Sequence, residues 1–158
     1  AGPAREHAAA FDQMALACLW GGIVLANAGL GAVHGLVAPL GGYYEVAHGD
    51  ACACLLPATL LANIEALKRR APGHPALDRY SEIIALICPG GPQTPERAAE
   101  QLLSLRKRLG VRSLRERGVV PQSFSRIVAQ ARGGSMRSNP IDLSDQELEA
   151  ILISTLAG

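Results

Sequence analysis

QMALACLWGGIVLANAGLGAVHGLVAPLGGYY, residues Gln13 to Tyr44, holds no acidic or basic side chain apart from His34. A run of that length is long enough to span a bilayer. Against a span, it carries Asn27, His34, Pro39 and repeated glycines, and no aromatic belt or basic flank brackets it. A helix apolar on all sides also suits the centre of a soluble core, and this is the reading adopted, with no membrane partner.

Working outward, a first helix is expected from about Ala4 to Ala28, stopped by Asn27-Ala28-Gly29. A second, from about Gly31 to Leu40, ends at Gly41-Gly42 in this reading. A loop through Tyr43, Tyr44 and Glu45 leads to a third helix near His48. Asp50 in its first turn suits the positive end of the helix dipole. Pro57 interrupts or kinks that helix before it continues to about Arg69. Pro75 opens a segment with Leu77, Tyr80, Ile84 and Ile87 at helical spacing. Thr94 as N-cap, followed by Pro95, starts a helix whose stripe is Ala98, Ala99, Leu102, Leu103 and Leu109, closed by Gly110. Pro121 opens another, with Phe124, Ile127, Val128 and Ala131 on one side. Ser144 and Glu147 form a capping box ahead of Leu148, Ile151, Leu152 and Leu156. No segment alternates with period two for long enough to demand a strand. The expected fold is all-α, a bundle of about seven helices in a single domain over residues 1–158.

Composition agrees. The chain has 158 residues, enough for one domain with a buried core, and is 49% hydrophobic and 18% charged, which excludes a disordered chain. Aromatic residues are only 4%, and Ala, Leu and Gly abound, which favours close-packed helices over a β-sandwich. A net charge of +1 gives no general attraction to nucleic acid. The Arg-rich stretch from Arg106 to Arg117 reads as a solvated helix end and loop. Cys18, Cys52, Cys54 and Cys88 lie in apolar runs and read as buried reduced thiols, with a disulfide or metal role as the alternative. Reduced thiols imply a cytoplasmic protein. Nothing at Ala1-Gly2-Pro3 resembles a signal peptide, and an opening without methionine suggests a fragment, a processed form or a cleaved product.

Gly29-Leu30-Gly31-Ala32-Val33-His34 invites a dinucleotide-binding reading. The third glycine of G-x-G-x-x-G is His34 here, and a helix rather than a strand precedes it, so that reading is rejected. Of four histidines, His7 and His74 sit in polar surroundings and are expected to be exposed. His34 alone suits a core histidine bonded to a backbone carbonyl, and His48 alone a residue near a helix start. Together they lie on consecutive helices joined by a short loop, which allows both imidazoles to reach one point. Neutral imidazole is a good ligand for zinc or ferrous iron.

Several blocks resemble one known family. Asn27 to Gly35, Pro39-Leu40-Gly41-Gly42, His48-Gly49, Leu55-Leu56-Pro57 and Asn63 resemble the signature of the iron-containing (group III) alcohol dehydrogenases. Phe124-x-x-Ile127-Val128, Ser135-Met136, Asn139-Pro140 and the last capped helix resemble that family's C-terminus, so the resemblance covers almost the whole chain. It implies the helical C-terminal domain of a dehydroquinate synthase-like fold. It also implies a divalent metal (Fe or Zn) held by His34 and His48, NAD(P) bound by a separate N-terminal α/β domain, and an alcohol or carbonyl compound as substrate. The family's other two ligands, an aspartate and a histidine four residues later, come from an earlier helix. No Asp-x-x-x-His precedes His34.

The chain is therefore expected to begin after those ligands and after the nucleotide-binding domain. Alone it should be inactive, and half the metal's ligands would be missing. No cofactor-binding or general-acid residue is assigned. Many relatives have a further histidine where Ala38 stands, and a proline where Ala47 stands. The alternatives are a maleylacetate reductase-like domain, with no carboxylate-binding arginine near His34 to favour it, and a non-catalytic helical interaction module. The metal, the alcohol, NAD against NADP and a homodimeric state are left open by the resemblance.

Overall fold

The computed structural model describes residues 3–156. Among the described residues there are seven α-helices, three short 3-10 turns and no strand. The helices are α1 (Pro3–Ala28), α2 (Ala32–Tyr43), α3 (His48–Arg70), α4 (Ala76–Ile87), α5 (Pro95–Arg108), α6 (Phe124–Ala131) and α7 (Asp145–Thr155). The all-α class and the helix number match the expectation.

Local chemistry sets most of the ends. Gly29, at φ 75°, closes α1, and its N–H donates to the Leu25 carbonyl at 3.1 Å. Thr94 accepts from the Arg97 N–H at 3.2 Å, with Pro95 at the first helical position of α5, and Gly110 follows at φ 69°. Ser144 and Glu147 form the full capping box of α7. Two expected breaks are not there. Gly41 and Gly42 lie inside α2, which runs on to Tyr43, because neither glycine takes the left-handed conformation that would end it. Pro57 lies within a continuous α3, where its ring is buried in the core. Propensity disfavours Pro57 in a helix interior, and its burial among the packed helices overrides this, whereas Gly41 and Gly42 are exposed in the last turn of α2.

The buried α3 is the spine, packed against α2, α4, α5 and α7. The main core gathers Leu36 and Leu40 of α2, Leu55 of α3, Ile127 of α6 and Leu148 and Leu152 of α7, each fully buried. Complete burial stabilises by roughly 1.5–3 kcal/mol per side chain of this size. A smaller cluster of Leu60, Ile64, Ile84, Cys88 and Ala98 joins α3 to α4 and α5. Arg106, expected in solvent, is buried, and its guanidinium donates to Cys54 Sγ at 3.5 Å. Lys107 and Arg108 beside it are exposed, so the charged run is not uniformly solvated.

α1 departs most from expectation. The apolar helix anticipated at the centre is exposed throughout from His7 to Ala28, with Phe11, Leu19 and Trp20 each more than half accessible and Cys18 exposed as well. The other described helices assemble around α3, and none covers α1. By length and composition alone His7–Ala28 (mean hydropathy 1.5) and α3 (1.4) are each long and apolar enough to cross a membrane. In α3 that stretch is 56% buried within the protein, as a core helix is.

One polar contact fixes α2 on α3. The first N–H groups of a helix need partners, and Gly31, which precedes α2, has no side chain to offer. Asn139, from the segment before α7, substitutes for it: its Oδ1 accepts from the Ala32 N–H at 3.1 Å. The same carboxamide pairs reciprocally with Asn63 of α3 at 3.2 and 2.7 Å and donates to the Ile141 carbonyl at 2.7 Å. Space for this is made by the glycines. A Cβ on Gly31 would stand 2.9 Å from Asn139 Oδ1, and one on Gly29 2.3 Å from Ser138 Oγ. The Gly-x-Gly pair serves this close approach.

Asn139→Ala should destabilise the fold by about 2–4 kcal/mol, because it strands the Ala32 N–H and the buried Asn63 amide together. Urea unfolding followed by circular dichroism measures this. A loss below about 0.5 kcal/mol would show that the pair does not hold α2 in place.

Candidate metal centre

From His34 to Tyr43, α2 rises by about 14 Å. The link Tyr44–Ala47 turns at Glu45, where the Val46 N–H donates to the Tyr44 carbonyl at 2.8 Å, and leads the chain into α3 at His48. The Tyr44 hydroxyl holds the link by donating to Ser123 Oγ at 2.8 Å, and Tyr43 lies under the Arg126 guanidinium at 4.3 Å from the ring centre. Asp50, in the first turn of α3, forms an ion pair with Arg117. These contacts fix where α3 starts, and so where His48 stands.

The structure brings His34 and His48 together, with ring centres 5.2 Å apart and planes inclined at 46°. Cys52 joins them, its Sγ lying 3.9 Å from His34 Nε2. One ligand atom from each of the three residues lies within 4.8 Å of the other two. His48 is exposed, while His34 and Cys52 are half-buried. Burial, and to a lesser extent the neighbouring His48 charge, holds the His34 imidazole below the ordinary histidine value of 6.5. Its lone pair is therefore free at neutral pH. Burial pushes the Cys52 thiol up. Two imidazoles and a thiol fit a borderline-soft divalent ion such as zinc, and an octahedral magnesium far less well.

His7 and His74 are exposed, as expected, and take no part. His74 has a local role, its Nδ1 accepting from the Ala76 N–H at 3.2 Å at the start of α4. Ala38, one turn beyond His34 on α2, is exposed and contributes no polar group. A cavity of about 530 Å³ lies elsewhere, between α3, α5 and α7, and includes none of the three clustered residues. Its walls mix aliphatic side chains such as Leu61, Leu103 and Ile151 with Glu65, Arg69 and Glu147, and hold no histidine. Cys52 is the member that the histidine pair did not reveal. Its signal was present in His48-x-x-x-Cys52, a spacing that puts both side chains on one face of a helix.

Comparison with known proteins places the whole chain in a family. The sequence model described as Fe-containing alcohol dehydrogenase family, C-terminal, matches residues 3–156. Alcohol dehydrogenase 4 of Saccharomyces cerevisiae (strain ATCC 204508 / S288c) is 32% identical over 133 residues, which are 83% of this chain and 33% of the yeast protein. The 1,3-propanediol dehydrogenase of Klebsiella pneumoniae is 32% identical over 148 residues, 89% of this chain and 36% of that protein. A solved 1,3-propanediol oxidoreductase superposes with a TM-score of 0.68 at 30% identity, over 85% of this chain and 35% of its own. The chain thus spans about a third of the length of the curated relatives it matches. It belongs to the Fe-containing alcohol dehydrogenase family, as that family's C-terminal helical domain.

Proposed function

We propose that this chain is the metal-binding domain of an NAD(P)-dependent alcohol dehydrogenase that interconverts a small alcohol and its aldehyde or ketone. His34 and His48 are its metal ligands in this reading. The observation that carries the reading is the meeting of these two imidazoles, 5.2 Å between ring centres, on adjoining helices of a chain whose relatives are alcohol and propanediol dehydrogenases. The nicotinamide and the remaining ligands belong to residues outside these 158.

When bound, the divalent metal supplies Lewis-acid polarisation of the substrate oxygen, and the nicotinamide accepts or donates the hydride. The chain's own residues hold and orient. The Asn63–Asn139 pair sets α2 against α3, Asp50 and Arg117 anchor the first turn of α3, and burial keeps His34 unprotonated. Ala38 offers no group to carry a proton, so proton movement at that position falls to water or to residues beyond this chain.

Three outcomes test this reading. First, the 158 residues alone should not reduce NAD or NADP with any alcohol, whereas the same residues joined to a cofactor domain should turn over. In that longer protein His34→Ala or His48→Ala should lower kcat/KM by more than about 100-fold and lose bound metal. Retention of wild-type rate and metal content by both variants would refute the assignment.

Second, Ala38→His should change substrate preference or the pH profile while leaving metal content unchanged. Loss of metal in that variant would mean that this position borders the ion more closely than proposed. Third, NMR titration of the metal-free chain should place His34 below 6.5. His48→Ala should recover only part of the shift, since burial is the larger cause. The linkage runs accordingly: the folded state binds the proton less well than the unfolded one, so His34's contribution to stability is complete above 6.5 and is lost as pH falls through its folded value. A His34 midpoint at or above 6.5 would contradict this.

A further inference from the structure

We infer that Cys52 is a third metal ligand, so that His34, His48 and Cys52 form a His2Cys set within this one chain that takes Zn2+ in preference to magnesium or manganese. The inference rests on the reading of His34 and His48 as ligands and adds a donor to it. His48 and Cys52 are one helical turn apart on α3, which stacks their side chains on a single face. His34 reaches the same point from α2, with its Nε2 3.9 Å from Cys52 Sγ. All three donor atoms fall within 4.8 Å of one another.

Ligands on a tetrahedral zinc, at about 2.1 Å for nitrogen and 2.3 Å for sulfur, lie roughly 3.5 Å apart. Closing the cluster onto an ion therefore needs movements of about 1 Å, within reach of small side-chain rotations.

Cys54 shows what a purely structural thiol looks like two residues further on. It is buried, it donates to the Arg112 carbonyl at 3.4 Å, and it receives the Arg106 guanidinium. Cys52 is only half-buried, and its recorded side-chain partner is an imidazole of the cluster. A thiolate is a soft donor that favours zinc or cobalt over magnesium, calcium and manganese. On binding, the Cys52 thiol releases its proton to solvent and forms the sulfur–metal bond, with no change of oxidation state. In the chain by itself, three protein donors on a four-coordinate ion leave the fourth position to water.

The test is titration of the metal-free 158-residue chain with Co2+ as a spectroscopic probe, with far-UV circular dichroism confirming that each variant keeps its helices. The wild type should take one equivalent and develop an intense near-ultraviolet thiolate-to-cobalt band. One equivalent of Zn2+ should displace it, and excess Mg2+ should not. Cys52→Ser and Cys52→Ala should each abolish the band and weaken zinc binding by about tenfold or more. Cys18→Ser should keep the band. As a check that needs no variant, Zn2+ should slow alkylation of Cys52 by iodoacetamide, read by peptide mass.

Binding of Co2+ without the band, or a band that persists in both Cys52 variants, would overturn the thiolate ligand and leave His34 and His48 standing. A band lost in the Cys52 variants but unchanged in His34→Ala and His48→Ala would instead refute the histidine assignment on which the set depends. A folded wild-type chain that binds neither Co2+ nor Zn2+ would overturn the three-ligand set.

Discussion

The carboxamide of Asn139 is the contact on which the arrangement of the centre depends. It caps α2 from a distance, locks onto Asn63 of α3, and ties both helices to the segment entering α7. Each of its polar atoms has a partner, and breaking the set would strand several groups at once. His34 stands in the first turn of α2, and Asn63 fixes the helix that carries His48 and Cys52. A slip of α2 along α3 would break these directional bonds and separate the imidazoles. The polar pair therefore supplies the register, and the core supplies most of the stability.

The same contact explains the local sequence. Gly29-Leu30-Gly31 has the look of a phosphate-binding turn, yet no strand precedes it. Its glycines clear room for Ser138 and Asn139, which arrive from more than a hundred residues away in the chain. A glycine pair thus reports only that something comes close to the backbone. Only the fold tells whether the neighbour is a pyrophosphate or a side chain.

Much of the architecture was legible because local chemistry decides it. The capping box at Ser144 and Glu147, the Thr94 cap and the Gly29 stop each require only residues within one turn of one another, and each stands where the sequence puts it. What was not legible depends on partners distant in sequence. Periodicity marks residues 13–28 as helical and apolar, but it does not say what covers them, and no described helix does. Arg106 read as solvated because its neighbours are charged, whereas the fold places its guanidinium inside, against the thiol of Cys54, 52 residues away in the chain. Cys52 was hidden by a prior: most cysteines in apolar runs are inert. Its meeting with His34 needs the return of the Tyr44–Ala47 link, which no spacing rule encodes.

The claim at the centre of this account is that imidazoles from α2 and α3 share one metal ion. X-ray absorption at the zinc edge of the zinc-loaded chain tests it most directly, because it counts and identifies the atoms around the ion without reference to activity. The account predicts two imidazole nitrogens at about 2.0–2.1 Å, with the outer-ring scattering that marks histidine, and a sulfur at about 2.3 Å. A shell of oxygen atoms alone, with no imidazole signature, would contradict it.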